Sequence, residues 1–398
     1  MGEIPRGRLT LAFASLLAAR IAYAFNWYDV GPVQLNLARG FGVSPGEVSL
    51  SLWAFLFAVG LFQIPAGLFS LRTSARTASL VGIVVLGAGA TASALVTTLW
   101  AFLLLRFVVG IGAAFFFSPA MGLLTEYFEG SRRGLAFGLF NGAFSIGAAL
   151  AVFATPVLAD WAGTEVALLV GGIAMLVIAG ENLVALPPVS RRPQAPGRGP
   201  NVSLILRSKI LWVLALALLG FWAANFAVPQ FLVPFAEQVY RLSPGGSGLL
   251  DAVLVSTALI GGPIGGYIAS RTGRGTLLLA AGGAGVGLSI LAIPFVGLDA
   301  LWGVGVGFGV ISGYLFAALY LLPTRFHDFD RETTALSLGL INGIEVLGGS
   351  FLVLIGGYYY FGAGNYTGLF EFLALICVVP LPLLLLLRKG RSSGQTVL

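Results

Sequence analysis

Charge is what this sequence has least of. Only 10% of its 398 residues are Asp, Glu, Lys or Arg, where a soluble globular chain carries about 25%. With 58% hydrophobic residues and a mean hydropathy of +0.95, a water-soluble fold would have no polar surface to present, so the implied solvent is lipid. The single cysteine, Cys377, excludes an internal disulfide and a cysteine-ligated metal. The single histidine, His327, excludes a His-rich metal or catalytic cluster. No GxxxxGK[ST] phosphate loop occurs, which excludes ATP as an energy source, and no Ser/His/Asp set can be assembled around one histidine. Nothing reads as an enzyme, and no cofactor or metal is expected.

What the chain does have is glycine, 56 residues of it. Small residues suit helices that must approach closely where lipid supplies no hydrophobic drive for association. Apolar runs long enough to cross about 30 Å of hydrocarbon recur near 9–30, 48–71, 76–97, 99–123, 134–159 and 164–187, then near 210–236, 247–270, 275–296, 299–323, 333–359 and 366–387. The first run follows a short basic segment without an Ala-x-Ala cleavage site, so a retained helix is expected rather than a signal peptide.

Basic residues test the count. Twelve spans with both termini in the cytoplasm place 18 of the 22 Lys and Arg residues on that side, leaving Arg39 and Arg241 outside and Arg20 and Arg106 within spans. The net charge of +6 is therefore topology charge, not a nucleic-acid patch. The segment PVSRRPQAPGRGPNVSLILRSK, 188–209, is the one linker, between an N-terminal bundle (1–187) and a C-terminal bundle (210–398).

The halves repeat. An offset of 199 brings Asn26 onto Asn225, Ser44-Pro45-Gly46 onto Ser243-Pro244-Gly245, Gly67 onto Gly266 and Arg72-Thr73 onto Arg271-Thr272. An offset of 201 brings Gly138, Asn141, Gly142 and Gly147 onto Gly339, Asn342, Gly343 and Gly348. Tandem duplication of six helices explains matches that keep their order. Ser44 with Pro45 and Glu47 also reads as an N-cap with a capping box, starting the second helix there. The fold class is thus an all-α membrane protein of twelve transmembrane helices in two pseudo-symmetric six-helix bundles.

Local motifs carry a resemblance. LLLRFVVGIGAA, 103–114, is similar to the helix-4 motif of the major facilitator superfamily, an Arg followed by G-x-G-A-A. GLFSLRTSAR, 67–76, and GYIASRTGR, 266–274, resemble its loop motif after helices 2 and 8. Leu71 and Ser270 stand where the family carries Asp, and Ser74 replaces the loop's Gly in the first copy. The resemblance implies a secondary transporter that works by alternating access around a midplane site. It also implies gate roles for Gly67, Arg72, Arg76, Gly266, Arg271 and Arg274, and a part in coupling or gating for Arg106.

Ionisable side chains in hydrocarbon are functional candidates by default. Arg20 lies near the middle of helix 1 with Tyr23 and Trp27 on its face, a setting for an anion or for the face of an aromatic ligand; a structural ion pair is the alternative. Glu345, in helix 11 one turn after Asn342, is the candidate for a coupling proton, unless a permanent partner such as Arg20 holds it charged. Asp29, nine residues from Arg20, faces the other way and is expected to pair sideways with Arg106 or to sit in water. Glu181 with Asn182 reads as structural. Asn26, Asn225, Asn141 and Asn342 are either pathway amides or interhelical bonds, and Trp222 and Tyr314 are candidates for an apolar lining.

The expected activity is movement of a small solute, an organic or inorganic anion on the strength of two in-membrane Arg residues, coupled to protons. Against the anion, relatives that carry nitrate or oxalate place cationic ligands on helices 2, 8 or 11, and helices 2 and 8 have no basic residue within the span here. The alternative is a proton-driven exporter of lipophilic or cationic compounds. A non-transporting sensor on the same fold, supported only by the altered loop motif, ranks below both. Expected partners are the substrate, the bilayer and protons, with no nucleic acid; the expected state is a monomer in the plasma (inner) membrane.

Overall fold

The computed structural model describes residues 5–128, 130–188, 202–271, 275–321 and 331–387. Among the described residues, twelve helices are long and apolar enough to cross a membrane. They are α1 (Gly7–Phe41), α2 (Pro45–Arg72), α3 (Ala75–Ala94), α4 (Leu99–Tyr127), α5 (Leu135–Ala162), α6 (Thr164–Ala185), α7 (Lys209–Val239), α8 (Pro244–Ala269), α9 (Gly275–Phe295), α10 (Leu298–Leu319), α11 (Gly339–Phe361) and α12 (Tyr366–Leu387). No strand occurs among the described residues, as expected where backbone groups in lipid must be satisfied within their own helix.

The first helix is longer than its apolar run suggested. It bends through a short 3₁₀ turn, Gly31–Val33, around Pro32 and continues as Gln34–Phe41. That continuation survives despite its polar residues because Gln34, Leu37 and Ala38 are buried. The start of α2 is the capping box read from sequence: Ser44 Oγ accepts from the Glu47 N–H at 3.3 Å, and the Ser44 N–H donates to Glu47 Oε2 at 2.8 Å. Its repeat keeps only half of this, the Gly246 N–H donating to Ser243 Oγ at 3.2 Å. Before it, the turn from α7 to α8 passes through Arg241 with φ of 56°.

By contact density the chain forms two compact units. One comprises Met1–Arg192 with Gln230–Ala252, the other Pro193–Pro229 with Val253–Leu398. The covalent halves expected from the linker differ from these units by one segment. The end of α7 and the start of α8 join the first unit because Gln230 donates from Nε2 to the Trp27 carbonyl at 2.8 Å and accepts at its own carbonyl from Gln34 Nε2 at 2.9 Å.

Inside the first unit α4 packs on α2 and α3, α3 on α6, and α1 on α5 and α6; inside the second, α10 packs on α8 and α9, and α9 on α12. Both units make a close helix crossing at repeat-related glycines. A Cβ on Gly110 would overlap the Phe55 carbonyl, and one on Gly309, 199 residues on, would overlap the Leu254 carbonyl, also 199 residues on. The α3–α4 crossing is tighter still, since Gly82 and Gly112 each abut the other helix's backbone. Missing side chains here let backbones touch, which is how helices gain dispersion contact in lipid.

These crossings give a testable contrast. Gly110→Ala and Gly309→Ala should each lower stability by about 1–3 kcal/mol, the usual range for overpacking. Gly266→Ala, where nothing lies within 4 Å of a new Cβ, should leave it unchanged. Thermal unfolding of the purified variants in one detergent reads all three.

Candidate functional site

Arg20 sits at the centre of an aromatic shell. Its guanidinium carbon lies 4.7 Å from the ring centre of Tyr23, 4.6 Å from Phe117, 5.0 Å from Phe140 and 4.5 Å from Phe144. Tyr23 is one turn along α1, Phe117 comes from α4, and Phe140 and Phe144 are one turn apart on α5. The shell continues outward: Tyr23 packs on Trp27 at 5.5 Å and on Phe116 at 5.3 Å, and Trp27 meets Phe55 edge-on at 4.8 Å. Arg20 is only 6% exposed.

The magnitudes decide how such a charge is tolerated. An Arg in mid-membrane costs about 2.5–3.5 kcal/mol on insertion scales, and each desolvated cation–π contact returns about 0.5–2 kcal/mol. Four rings are enough to offset the cost without a counter-ion. No carboxylate of its unit lies within ion-pair distance of Arg20 among the described residues, and Nε and Nη1 have no hydrogen-bond partner. The rings contact the guanidinium carbon, whereas the free donors lie in the guanidinium plane. That geometry presents N–H groups to an in-plane oxyanion while the aromatic shell excludes water.

A second charge arrangement lies farther along α1. Arg106 Nη1 is 3.2 Å from Asp29 Oδ1, with both side chains almost fully buried, so the sideways pairing expected of these two is present. Arg106 also donates from Nη2 to the Asn26 carbonyl at 2.8 Å and lies 5.3 Å from the Phe55 ring centre. Nine residues at roughly 100° each turn Asp29 to the side of α1 opposite Arg20, which is why one helix serves both groups.

Asn26 does not offer its amide hydrogens to a pathway. Its Nδ2 donates to the carbonyls of Ala22 at 2.8 Å and of Gly171 on α6 at 3.1 Å. Asn182 does the reverse, donating from α6 to the Ser15 carbonyl on α1 at 3.1 Å. The two amides brace α1 against α6, the interhelical reading left open from sequence. Glu181 beside Asn182 is exposed, and so is Asn141 on α5.

In the second unit Glu345 is fully buried and Asn342 is half-buried on α11. Trp222 is buried against Phe226, with ring centres 4.4 Å apart, and under Gly349. Asn225 is half-buried. Tyr314 donates to the Leu278 carbonyl at 3.4 Å, joining α10 to α9.

Of the expected gate residues, Arg76 donates from Nε and Nη2 to the carbonyls of Leu186 and Leu183 at 2.8 and 2.6 Å. It therefore satisfies the orphan carbonyls at the end of α6, within its own unit. Arg72 and Arg271 are exposed, Arg271 lying 4.5 Å from the Tyr267 ring. Gly67 and Gly266 have open space around them. Arg274 lies outside the described residues.

Comparison with known proteins gives this arrangement its family. The profile of the Major Facilitator Superfamily matches residues 16–352. The chain belongs to that superfamily. Among curated relatives it is 25% identical to the nitrite extrusion protein of Bacillus subtilis over 374 residues, 92% of this chain and 90% of the relative. It is 24% identical to the probable nitrate/nitrite transporter NarK2 of Mycobacterium tuberculosis, over 84% of this chain and 82% of the relative. It is 31% identical to human monocarboxylate transporter 11, over 75% of this chain and 67% of the relative. The fold matches a bacterial homologue of the human lysosomal transporter Spinster, solved inward-facing and occupied, with a TM-score of 0.74 at 16% identity over 99% of this chain and 98% of that one. The protein is an integral, multi-pass membrane transporter and not an enzyme.

Sequence reasoning missed three members of the Arg20 shell. Phe117, Phe140 and Phe144 have no signal of their own among 30 phenylalanines; only helix packing selects them. It also missed Asp251, fully buried on α8, although a carboxyl within an apolar run is the signal that singled out Glu345.

The buried pair predicts non-additive stability. Arg106→Gln alone should cost about 3–5 kcal/mol by stranding the Asp29 charge. Adding Asp29→Asn should return most of that loss. A double-mutant cycle by thermal unfolding checks it, and a cycle that closes within about 0.5 kcal/mol of additivity would refute the pairing.

Proposed function

We propose that this member of the superfamily is a proton-coupled secondary transporter of a small oxyanion, with Arg20 as the anion ligand. The observation that carries the reading is a buried guanidinium ringed by four aromatic faces, with no carboxylate of its own unit in ion-pair range and Nε and Nη1 unpartnered among the described residues. Its positive charge is uncompensated within its own unit, so an entering monoanion gains Coulomb attraction in low dielectric without displacing an existing partner. The relatives named for nitrate, nitrite and monocarboxylates share one chemistry with this site, a planar, singly charged oxygen acid. The same rings argue against the exporter of lipophilic cations, because the aromatic surface around α1 already faces a cation.

In this reading transport follows alternating access about a midplane site. Glu345, fully buried on α11, takes the coupled proton. The Asp29–Arg106 pair, bound to the α1 backbone through the Asn26 carbonyl, links the charge state of the first unit to the position of α1. The distribution of basic residues supports cytoplasmic termini and an inner-membrane location, and a monomer suffices to form the site.

Purified protein in liposomes tests the proposal with nitrate, nitrite and small monocarboxylates as cargo. Two charge-assisted hydrogen bonds are worth about 3 kcal/mol or more, so Arg20→Gln should lower apparent affinity by roughly a hundredfold. Arg20→Lys should retain part of it. Glu345→Gln should abolish accumulation driven by a pH gradient while exchange of labelled anion continues. Unaltered anion uptake by Arg20→Gln would overturn the assignment of the site.

A further inference from the structure

Asp251 lies on α8, one turn beyond Ser247, and is fully buried. Among the described residues, neither carboxyl oxygen has a hydrogen-bond partner. It stands at the end of the first unit where α1 bends, inside a set of close contacts. Gly31 abuts the Gln230 backbone, with a new Cβ placed 2.7 Å from Gln230 Cα. Gln34 donates to the Gln230 carbonyl, and Gln230 donates to that of Trp27. On the other flank a Cβ on Gly248 would stand 2.7 Å from the Val152 carbonyl and 3.0 Å from Phe153 Cα. Ser247 Oγ donates to Glu237 Oε1 at 3.1 Å. Together these contacts pack this end of the unit closely, and Asp251 is buried on the same helix, one turn or less from Ser247 and Gly248.

Among the described residues of its unit, no cation lies in ion-pair range of Asp251. From α1 its electrostatic neighbour is Tyr28. The α5 helix carries one titratable side chain, Asp160, which is exposed and neighbours Glu237 instead. From α7 comes Glu237, engaged by Ser247 and neighboured by Arg39. A carboxylate anion here would be buried with both oxygens unsatisfied, a cost of several kcal/mol even after relaxation. A protonated carboxyl removes the charge and keeps the packing.

We propose that Asp251 is a proton-binding site that latches this end of the first unit: protonated, it lets the segment 230–252, the end of α7 and the start of α8, pack on α1 and α5, and on losing its proton it admits water and loosens that packing. The ligand is a proton, and the site is separate from Arg20 and from the Asp29–Arg106 pair. The inference does not depend on Glu345 or on any cargo, so it can fail or hold independently of the transport reading.

The test uses full-length protein in detergent with Cys377→Ala and Ser247→Cys, the second a near-isosteric reporter one turn from Asp251. Maleimide labelling of that thiol is followed between about pH 6 and pH 9, with and without Asp251→Asn. Dividing the two rates at each pH cancels the thiol's own titration. The ratio should rise by about tenfold across the range, because the packing loosens only where Asp251 can ionise. A ratio that stays flat overturns the proposal. Asp251→Leu, which keeps the site neutral and apolar, serves as the comparison should Asp251→Asn fail to fold. If neither neutral variant folds, the carboxyl is required for structure and the latch is refuted.

Discussion

Hydrocarbon hydrates nothing, and most of this molecule follows from that. A polar or charged group between the ends of a span has to find its partner inside the protein. Backbone groups find theirs along the helix. Arg76 satisfies the carbonyls that end α6, and paired amides on Asn26 and Asn182 tie α1 to α6. Glycine then sets how near two satisfied helices can come, as where Gly82 and Gly112 bring α3 and α4 into backbone contact. Against that background, a buried charged group without a counter-charge of its own unit is informative, because ionised groups cost the most to bury.

Two arginines within the first unit illustrate opposite solutions to the same cost. Arg106 is compensated by Asp29, with further contacts to a carbonyl and a ring. Arg20 is surrounded by four ring faces, with no carboxylate of its own unit in ion-pair range among the described residues. An ion pair neutralises charge and repels nothing, so it fits a structural or switching element. A ring cage stabilises a cation without neutralising it, because quadrupoles carry no net charge. The field of Arg20 is therefore not cancelled by the rings that hold it, and this difference separates the two arginines although they are residues of identical type.

The architecture was legible because its signals are long and redundant. Apolar runs, the bias of basic residues and offsets near 199 each point to twelve helices in two repeats, and the capping box at Ser44 located a helix start by itself. The extension of α1 to Phe41 was not legible, since the apolar run ends near residue 30 and only the folded chain buries Gln34, Leu37 and Ala38 beyond it. At the site, sequence found Arg20, Tyr23 and the Asp29–Arg106 pair from spacing along one helix. It could not find Phe117, Phe140 or Phe144, whose relation to Arg20 exists only after α4 and α5 pack on α1. Asn26 shows the converse: repetition in both halves marked it, yet its amide hydrogens are taken by α1 and α6.

Where the repeat is broken matters as much as where it holds. Gly110 and Gly309 keep the same crossing because close packing has one solution for both units. Position 20 falls on Leu219 under the same offset, so the cation has no counterpart in the second copy. Glu345 falls on Phe144 under the offset of 201, so an acid in one copy stands where the other contributes a ring to the cage. Duplication supplied a symmetric scaffold of crossings. Ionisable side chains were placed on it asymmetrically, with Arg20, Asp29 and Arg106 in the first copy and Glu345 in the second, so the two copies share their packing but not their charge chemistry.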